Sequence, residues 1–406
     1  MNVRHSWLPL LALWSLLFAG PARALPPLQI YVAITPPGGV LRLDPGTYGG
    51  PAVIDKPITI DGGGEVTLDG QGEGTVLTIR SDGVTVKGMR ITHSGNGYDA
   101  VDGGVWVEDS DGVVLEDLVI DDVLHGISLQ QSDNATVRGN RITSRDVGLS
   151  LRGDGIRLWN SHDNLIENNE VVRVRDIVLT NSSGNRLIGN TIRDGRIAIE
   201  FIYSPENSAE HNLISGNITG IFSLYSDDLS IRGNRIQNVR KVPGIALAFK
   251  ESSQVVVEEN EILHCAVGLE ANSPVYPENL LYIRHNHFAY NDIAMYFYGE
   301  KGGHLIHDNR FEENFLPVAV TVFSTVLDND WRGNYWDDYE GFDRDDDGIG
   351  DKPYEVYLYA DRIWLDRPMI RFFRRSPVLE LVDFMERLAP FSDPPMILRD
   401  PAPRVR

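Results

Sequence analysis

The chain has 406 residues, a net charge of −21, 39 glycines, 22 prolines and one cysteine. Such acidity repels phosphate backbones and argues against nucleic acid as a partner, leaving basic proteins and metal cations; the same charge also serves simply to keep an exported protein dispersed. With Cys265 alone no internal disulfide can form, but a chain of this length can bury a core without one.

In chain order, residues 1–24 read as a secretory signal peptide. Arg4 and His5 precede an apolar run from Trp7 to Ala19, Gly20 and Pro21 break it, and Ala22-Arg23-Ala24 supplies the small-x-small cleavage signal. The run is shorter than the ~20 residues a membrane anchor needs. Cleavage is therefore expected near Ala24, with a soluble mature chain outside the cytoplasm.

Residues 25–330 are predicted to form an all-β, right-handed parallel β-helix. Leu43 to Tyr48 and Ile60 to Gly64 begin the first coils. Asparagine then marks a register at Asn140, Asn169, Asn190, Asn234, Asn260, Asn286 and Asn309, with Asn217 fitted by a slip and Met89 and Leu118 holding the place upstream. The step averages about 24 residues, the signature of a stacked repeat. An apolar residue stands three before each register position, and another follows two after in nearly every case; Ile231 and Ile236 flank Asn234 in this way. A straight strand cannot turn both inward, because its side chains alternate. The chain must bend between them, and asparagine suits a bend because it tolerates the left-handed conformation and can hydrogen-bond along a stack. Coils of this kind bury one continuous Val/Ile/Leu column, and the crossover bias sets the hand. The signature of a leucine-rich repeat is missing.

Residues 331–375 form an acidic segment and 376–406 a helix with a proline-rich tail. Ser376 caps the helix, Pro377 takes its first position, and Val378, Leu381, Val382, Met385 and Leu388 share the face expected to be buried.

The acidic segment carries the most specific motif, Gly333-Asn-Tyr-Trp336 running through Asp343 to Gly350 and on to Pro353-Tyr354. Together with Arg152 to Asn160 and Ser376-Pro377, it resembles the NosD family, over essentially the whole mature chain. The resemblance implies a periplasmic protein that is not an enzyme. It implies partners as well: the ABC transporter pair NosF and NosY, the copper lipoprotein NosL, and nitrous oxide reductase, whose copper centres such a protein helps to load. Copper would be its transient cargo.

Three sets of residues could carry chemistry. Asp343, Asp345, Asp347, Ile349 (through its carbonyl) and Asp351 match an alternate-residue loop for Ca2+ or a similar divalent ion. Tyr354 stands where the closing glutamate belongs, so Asp337 or Asp338 would have to complete the sphere; the alternative is a solvated acidic turn. For copper, the candidates are the outward imidazoles of His285, His287 and His307 and the thioether of Met369. The alternatives are scattered surface histidines and a core methionine. His304, Met295 and Cys265 fall in inward phase. Finally, a polysaccharide-acting lyase, hydrolase or epimerase would need paired carboxylates. Asp99, Asp102, Glu108, Asp109, Asp111, Glu116 and Asp117 are the place to look, although no acid/base pair is evident among them.

Overall fold

Apolar side chains on short strands that no single coil can bury must be covered by the coils above and below, and the chain does this throughout. The computed structural model describes residues 24–272, 280–299, 302–321, 326–357, 385 and 396–405. It is a parallel β-helix. Each coil gives two short strands, one on either side of a corner, to a 24-stranded sheet and a third strand to a facing 12-stranded sheet. The two inward positions hold as expected: Val137 pairs with Leu115 and Ile166, and Ile142 with Ile120 and Val171. The helix Leu28–Ile34 covers the first coil with Leu28 and Val32. The leader, apart from Ala24, lies outside the described residues.

The corner is held by a ladder of buried amides. Asn169 Oδ1 accepts from both the backbone N–H (3.0 Å) and the Nδ2 (2.9 Å) of Asn140, one coil earlier. The same pair of bonds repeats onward through Asn190, Asn212, Asn234, Asn260, Asn286, Asn309 and Asn334. A corner cannot bond its backbone to the adjacent coil as a strand does, so side chains satisfy the buried N–H groups instead.

Two expectations are corrected here. The fourth asparagine rung is Asn212 and not Asn217: Ala209 and Ile214 are the inward pair, bonded in register to Ile231 and Ile236. Asn217 stands five residues further on, where its Oδ1 accepts from the Gly195 N–H; Cys265, Asn291 and Asn314 hold the same offset from later rungs and bond in succession. Alanine at 209 buries too little to reveal the register from sequence, and Ile214 matched either frame. Secondly, the left-handed residue is the one before each rung. Gly139, Asn168, Gly189, His211, Gly233, Glu259, His285 and Asp308 all have φ between 53° and 66°, and the rung asparagines do not.

Serine builds a third column at the opposite corner. Ser132, Ser161, Ser182, Ser204, Ser226 and Ser252 each accept from the backbone N–H of the serine one coil earlier, at 2.9–3.2 Å.

Parallel pairing runs past residue 330, through Asp330–Arg332 and Tyr335–Trp336. Phe288, Phe311, Trp336 and Tyr354 stack in succession at 5.3, 4.3 and 4.4 Å, closing the core. Strand Tyr354–Tyr357 pairs antiparallel with Met396–Asp400. Asp400 then ends the asparagine ladder: its Oδ2 accepts from the backbone N–H and Nδ2 of Asn334 and from the indole of Trp336. The helix expected over 376–388 lies outside the described residues except Met385, which is helical but half exposed and so does not bury the thioether as expected. Among the described residues no helix is long and apolar enough to cross a membrane.

Candidate functional site

The histidines proposed for copper occupy three different situations. His285 is the left-handed corner residue, which turns its ring outward; its nitrogens lie 3.7 Å from Glu258 and 3.9 Å from Asp308. His287 opens the strand after the corner, and its Nε2 is 3.0 Å from Glu312. The Arg310 fork, with a smaller share from His287, holds that carboxyl down at about 2. His307 Nε2 lies 3.2 Å from Asp330 but off the line of a hydrogen bond. Each imidazole thus faces its own carboxylate. Among the described residues they do not gather into a group of three ligands. His304 is buried, accepts from the Leu281 N–H through Nδ1 and stacks on Phe297, as its inward phase implied. Met369 lies outside the described residues.

Met295 is core, bonded in register beside Leu269. Cys265 is core too, but in a rung. It sits five residues after Asn260, its backbone N–H donates to Asn291 Oδ1 at 2.9 Å, and its thiol faces the Leu263 carbonyl at 3.3 Å. Burial pushes the thiol up to about 12, so it offers no thiolate to a metal near neutral pH.

In the acidic turn, Asp343, Asp345 and Asp347 bring their carboxylates within 4.8 Å of one another. Repulsion from Asp347 comes first among the causes that raise the Asp345 carboxyl. The carboxylates of Asp351, Asp337 and Asp338 do not join them. Asp351 Oδ2 accepts from the Arg344 N–H at 3.0 Å, Asp337 accepts from the Glu313 N–H at 2.6 Å, and Asp338 faces the Tyr354 hydroxyl at 3.3 Å. Ile349 is tied by a backbone bridge to Arg404. Three of the four carboxylates expected from the loop converge.

The acidic residues of the first coils are dispersed. Glu108 pairs with Arg80, Glu116 with Arg138, and Asp102 accepts from the Gly97 N–H. A concentration of buried charge does exist, two coils further on and on the outer face of the 12-stranded sheet. Asp154, Asp176 and Glu200, 3%, 1% and 9% exposed, floor a cleft of about 440 Å³. Arg175 grips Asp154 through two bonds of 2.9 and 3.1 Å. Arg196 grips Asp176, which also accepts from the Ile197 N–H at 2.9 Å. Glu200 has only an edge of Arg196, at 3.5 Å. Desolvation pushes Asp154 up to about 6 and Glu200 up to about 7. His125 Nδ1 accepts from the Asp154 N–H at 3.0 Å, and burial brings the ring down to about 4, so it stays neutral with its proton on Nε2.

Sequence reasoning passed over this group because its members come from four coils and no spacing joins them. One signal was available: Arg157 and Glu200, with Glu270 further on, interrupt a column whose other members include Ser128, Val178, Phe222 and Ala248.

Comparison with known proteins follows the chain along nearly its whole length. It is 30% identical to a "Probable ABC transporter binding protein NosD" of Pseudomonas aeruginosa, covering 96% of this chain and 95% of that one. A protein of the same description from Stutzerimonas stutzeri is 27% identical over 92% and 89% of the two chains. Among solved structures, the catalytic domain of a GH87 α-1,3-glucanase in complex with nigerose superposes with a TM-score of 0.55 at 13% identity, covering 72% of this chain and 64% of that one. That likeness concerns the fold alone. The family described as "Periplasmic copper-binding protein (NosD)" matches residues 63–152 and 149–341, and the chain therefore belongs to the NosD family.

Proposed function

We propose that this chain is a periplasmic copper-maturation factor. It works with the ABC transporter NosF and NosY and the copper lipoprotein NosL to help load the copper centres of nitrous oxide reductase. One observation carries this reading: the family match from residue 63 to 341, with relatives described as ABC transporter binding proteins over more than nine-tenths of the chain. The protein acts in this reading by binding and assembly and not by catalysis.

Copper is the cargo. Soft or imidazole donors presented at a surface pass it on by ligand exchange, and a transfer site can borrow donors from both partners. Met369 is the thioether candidate. Among the imidazoles, His285 is the freest, since His287 and His307 lie closer to carboxylates. The turn at Asp343, Asp345 and Asp347 serves separately, as the seat of a structural divalent ion.

The test is the copper content of the reductase isolated from a strain lacking this protein. The reductase is exported but copper-poor, and wild-type protein restores it. Met369→Leu and a triple His285, His287 and His307→Ala variant each restore it only in part. Full copper loading without the protein overturns the function; full restoration by both variants overturns the donor assignments alone.

A further inference from the structure

The cleft over Asp154, Asp176 and Glu200 plays no part in copper transfer as proposed above, and the fold does not require it. Neighbouring coils place Ser128, Phe222 and Ala248 at the positions of Arg157 and Glu200, and a further carboxylate enters the column only at Glu270. Burying ions is costly unless they are matched, so charges concentrated where neighbouring coils use small or apolar residues call for a ligand.

The pairing in the cleft is uneven. Asp154 and Asp176 are each held by a guanidinium fork. Among the described residues Arg157 lies within ion-pair distance of no carboxylate, and it rests instead over the ring of Trp159, 5.4 Å from its centroid. Glu200 keeps most of its hydrogen-bonding capacity, and the neutral His125 has its Nε2 proton to donate. Among the described residues the cleft therefore offers one cation without an ion pair, whose charge reaches only the already forked Asp154, and a set of donors and acceptors suited to hydroxyls. Tyr98, 44% exposed, lines it, and Trp159, 39% exposed, stands next to it under Arg157. Arg157 and Glu200 lie two coils apart in one column, about 10 Å at the usual strand spacing, a separation that two linked rings can span. The volume falls within the roughly 300–1,000 Å³ of small-molecule sites.

We propose that this cleft binds a carboxylated saccharide: the carboxylate pairs with Arg157, the ring hydroxyls bond to Glu200, His125 and Asp154, and a sugar face rests on Trp159. Hydroxyls suit the floor because they both donate and accept, as a mixed carboxyl and guanidinium surface requires. The carboxylate is needed because a neutral sugar leaves Arg157 unmatched. The inference does not depend on the copper reading.

Isothermal titration of the purified full chain with trigalacturonate, and with maltotriose as the neutral counterpart, tests it. Trigalacturonate binds the wild type. Arg157→Ala weakens it tenfold or more, Glu200→Gln weakens it less, and maltotriose shows no heat of binding. Arg157→Lys, which keeps the charge and loses the fork, recovers part of the affinity. A melting temperature for each variant near that of the wild type assigns the losses to the cleft. Three results each overturn the proposal: no binding of either sugar, equal binding of both, or affinity for trigalacturonate unchanged by Arg157→Ala. Copper loading by Arg157→Ala stays at the wild-type level, so failure here leaves the maturation reading standing.

Discussion

Replacing Asn234 with alanine isolates what one rung of the asparagine ladder contributes. Its Oδ1 accepts from the Asn212 N–H at 3.0 Å and from Asn212 Nδ2 at 2.9 Å, and its Nδ2 donates to the Ala209 carbonyl at 2.8 Å. The backbone N–H of residue 234 still reaches Asn260 Oδ1, and Asn212 Nδ2 still reaches the Leu187 carbonyl. The substitution therefore orphans one buried backbone N–H outright and takes a shared donor from the Ala209 and Arg232 carbonyls and from Asn260 Oδ1. An orphaned buried donor costs about 1–3 kcal/mol and a lost bond about 1 kcal/mol, so the sum is roughly 2–4 kcal/mol. That is a large share of the ~5–15 kcal/mol by which folded domains are stable. Urea denaturation should show a lower midpoint with an unchanged slope. Asn234→Asp keeps the acceptor for Asn212 but sets a carboxylate against Asn260 Oδ1. It should be at least as damaging at neutral pH and recover in acid, where the protonated carboxyl can donate. Asp400 is tolerated in the same role because, among the described residues, no rung lies beyond it. If Asn234→Ala shifts the midpoint no more than the surface change Arg235→Ala does, the ladder is not a source of stability and this reasoning fails.

The remaining expectations concern separate parts of the molecule. Cys265 should be inert to Ellman's reagent in the native protein and reactive once unfolded, and Cys265→Asn should fold at least as well as wild type, since it restores a rung; rapid labelling of native protein would contradict the burial. A chelator should lower the melting temperature, and Asp345→Ala with Asp347→Ala should abolish that response, because an ion bound only to the native state stabilises it by mass action. An unmoved melting curve means the turn holds none. Glu200, raised from 4.5 to about 7, binds more protons folded than unfolded across that interval. Its contribution to stability therefore declines as pH rises from about 4.5 to 7. His125, lowered from 6.5 to about 4, acts in the opposite sense, its contribution being lost as pH falls through that range. Comparing the pH profiles of wild type and Glu200→Gln isolates the first effect, and identical profiles refute it.

The solenoid was legible because a β-helix writes its core as a repeat. Ile231, Asn234 and Ile236 occupy the same places in successive coils, and a buried column tolerates little variation in that pattern. The serine column was legible in principle, since Ser161 and Asn164, Ser182 and Asn185, and Ser204 and Asn207 stand at one spacing on buried corners. Register failed at Asn212 because Ala209 marks its inward position too weakly. The resemblance to the family was legible in local sequence, the runs from Gly333 to Tyr354 and from Arg152 to Asn160, and needed no coordinates. Which residues meet outside the core depended on the fold. The sequence placed five candidate ligands in the acidic loop, but backbone N–H groups from Arg344 and Glu313 reach Asp351 and Asp337, and the Tyr354 hydroxyl reaches Asp338. The outward histidines share a corner, yet each meets its own carboxylate from an adjacent coil. The cleft at Asp154, Asp176 and Glu200 could not be read from spacing at all. Coil length varies from turn to turn, so residues that stack in space stand at no constant separation in the chain. Only the stacking of one coil on the next decides which charges become neighbours and which water no longer reaches.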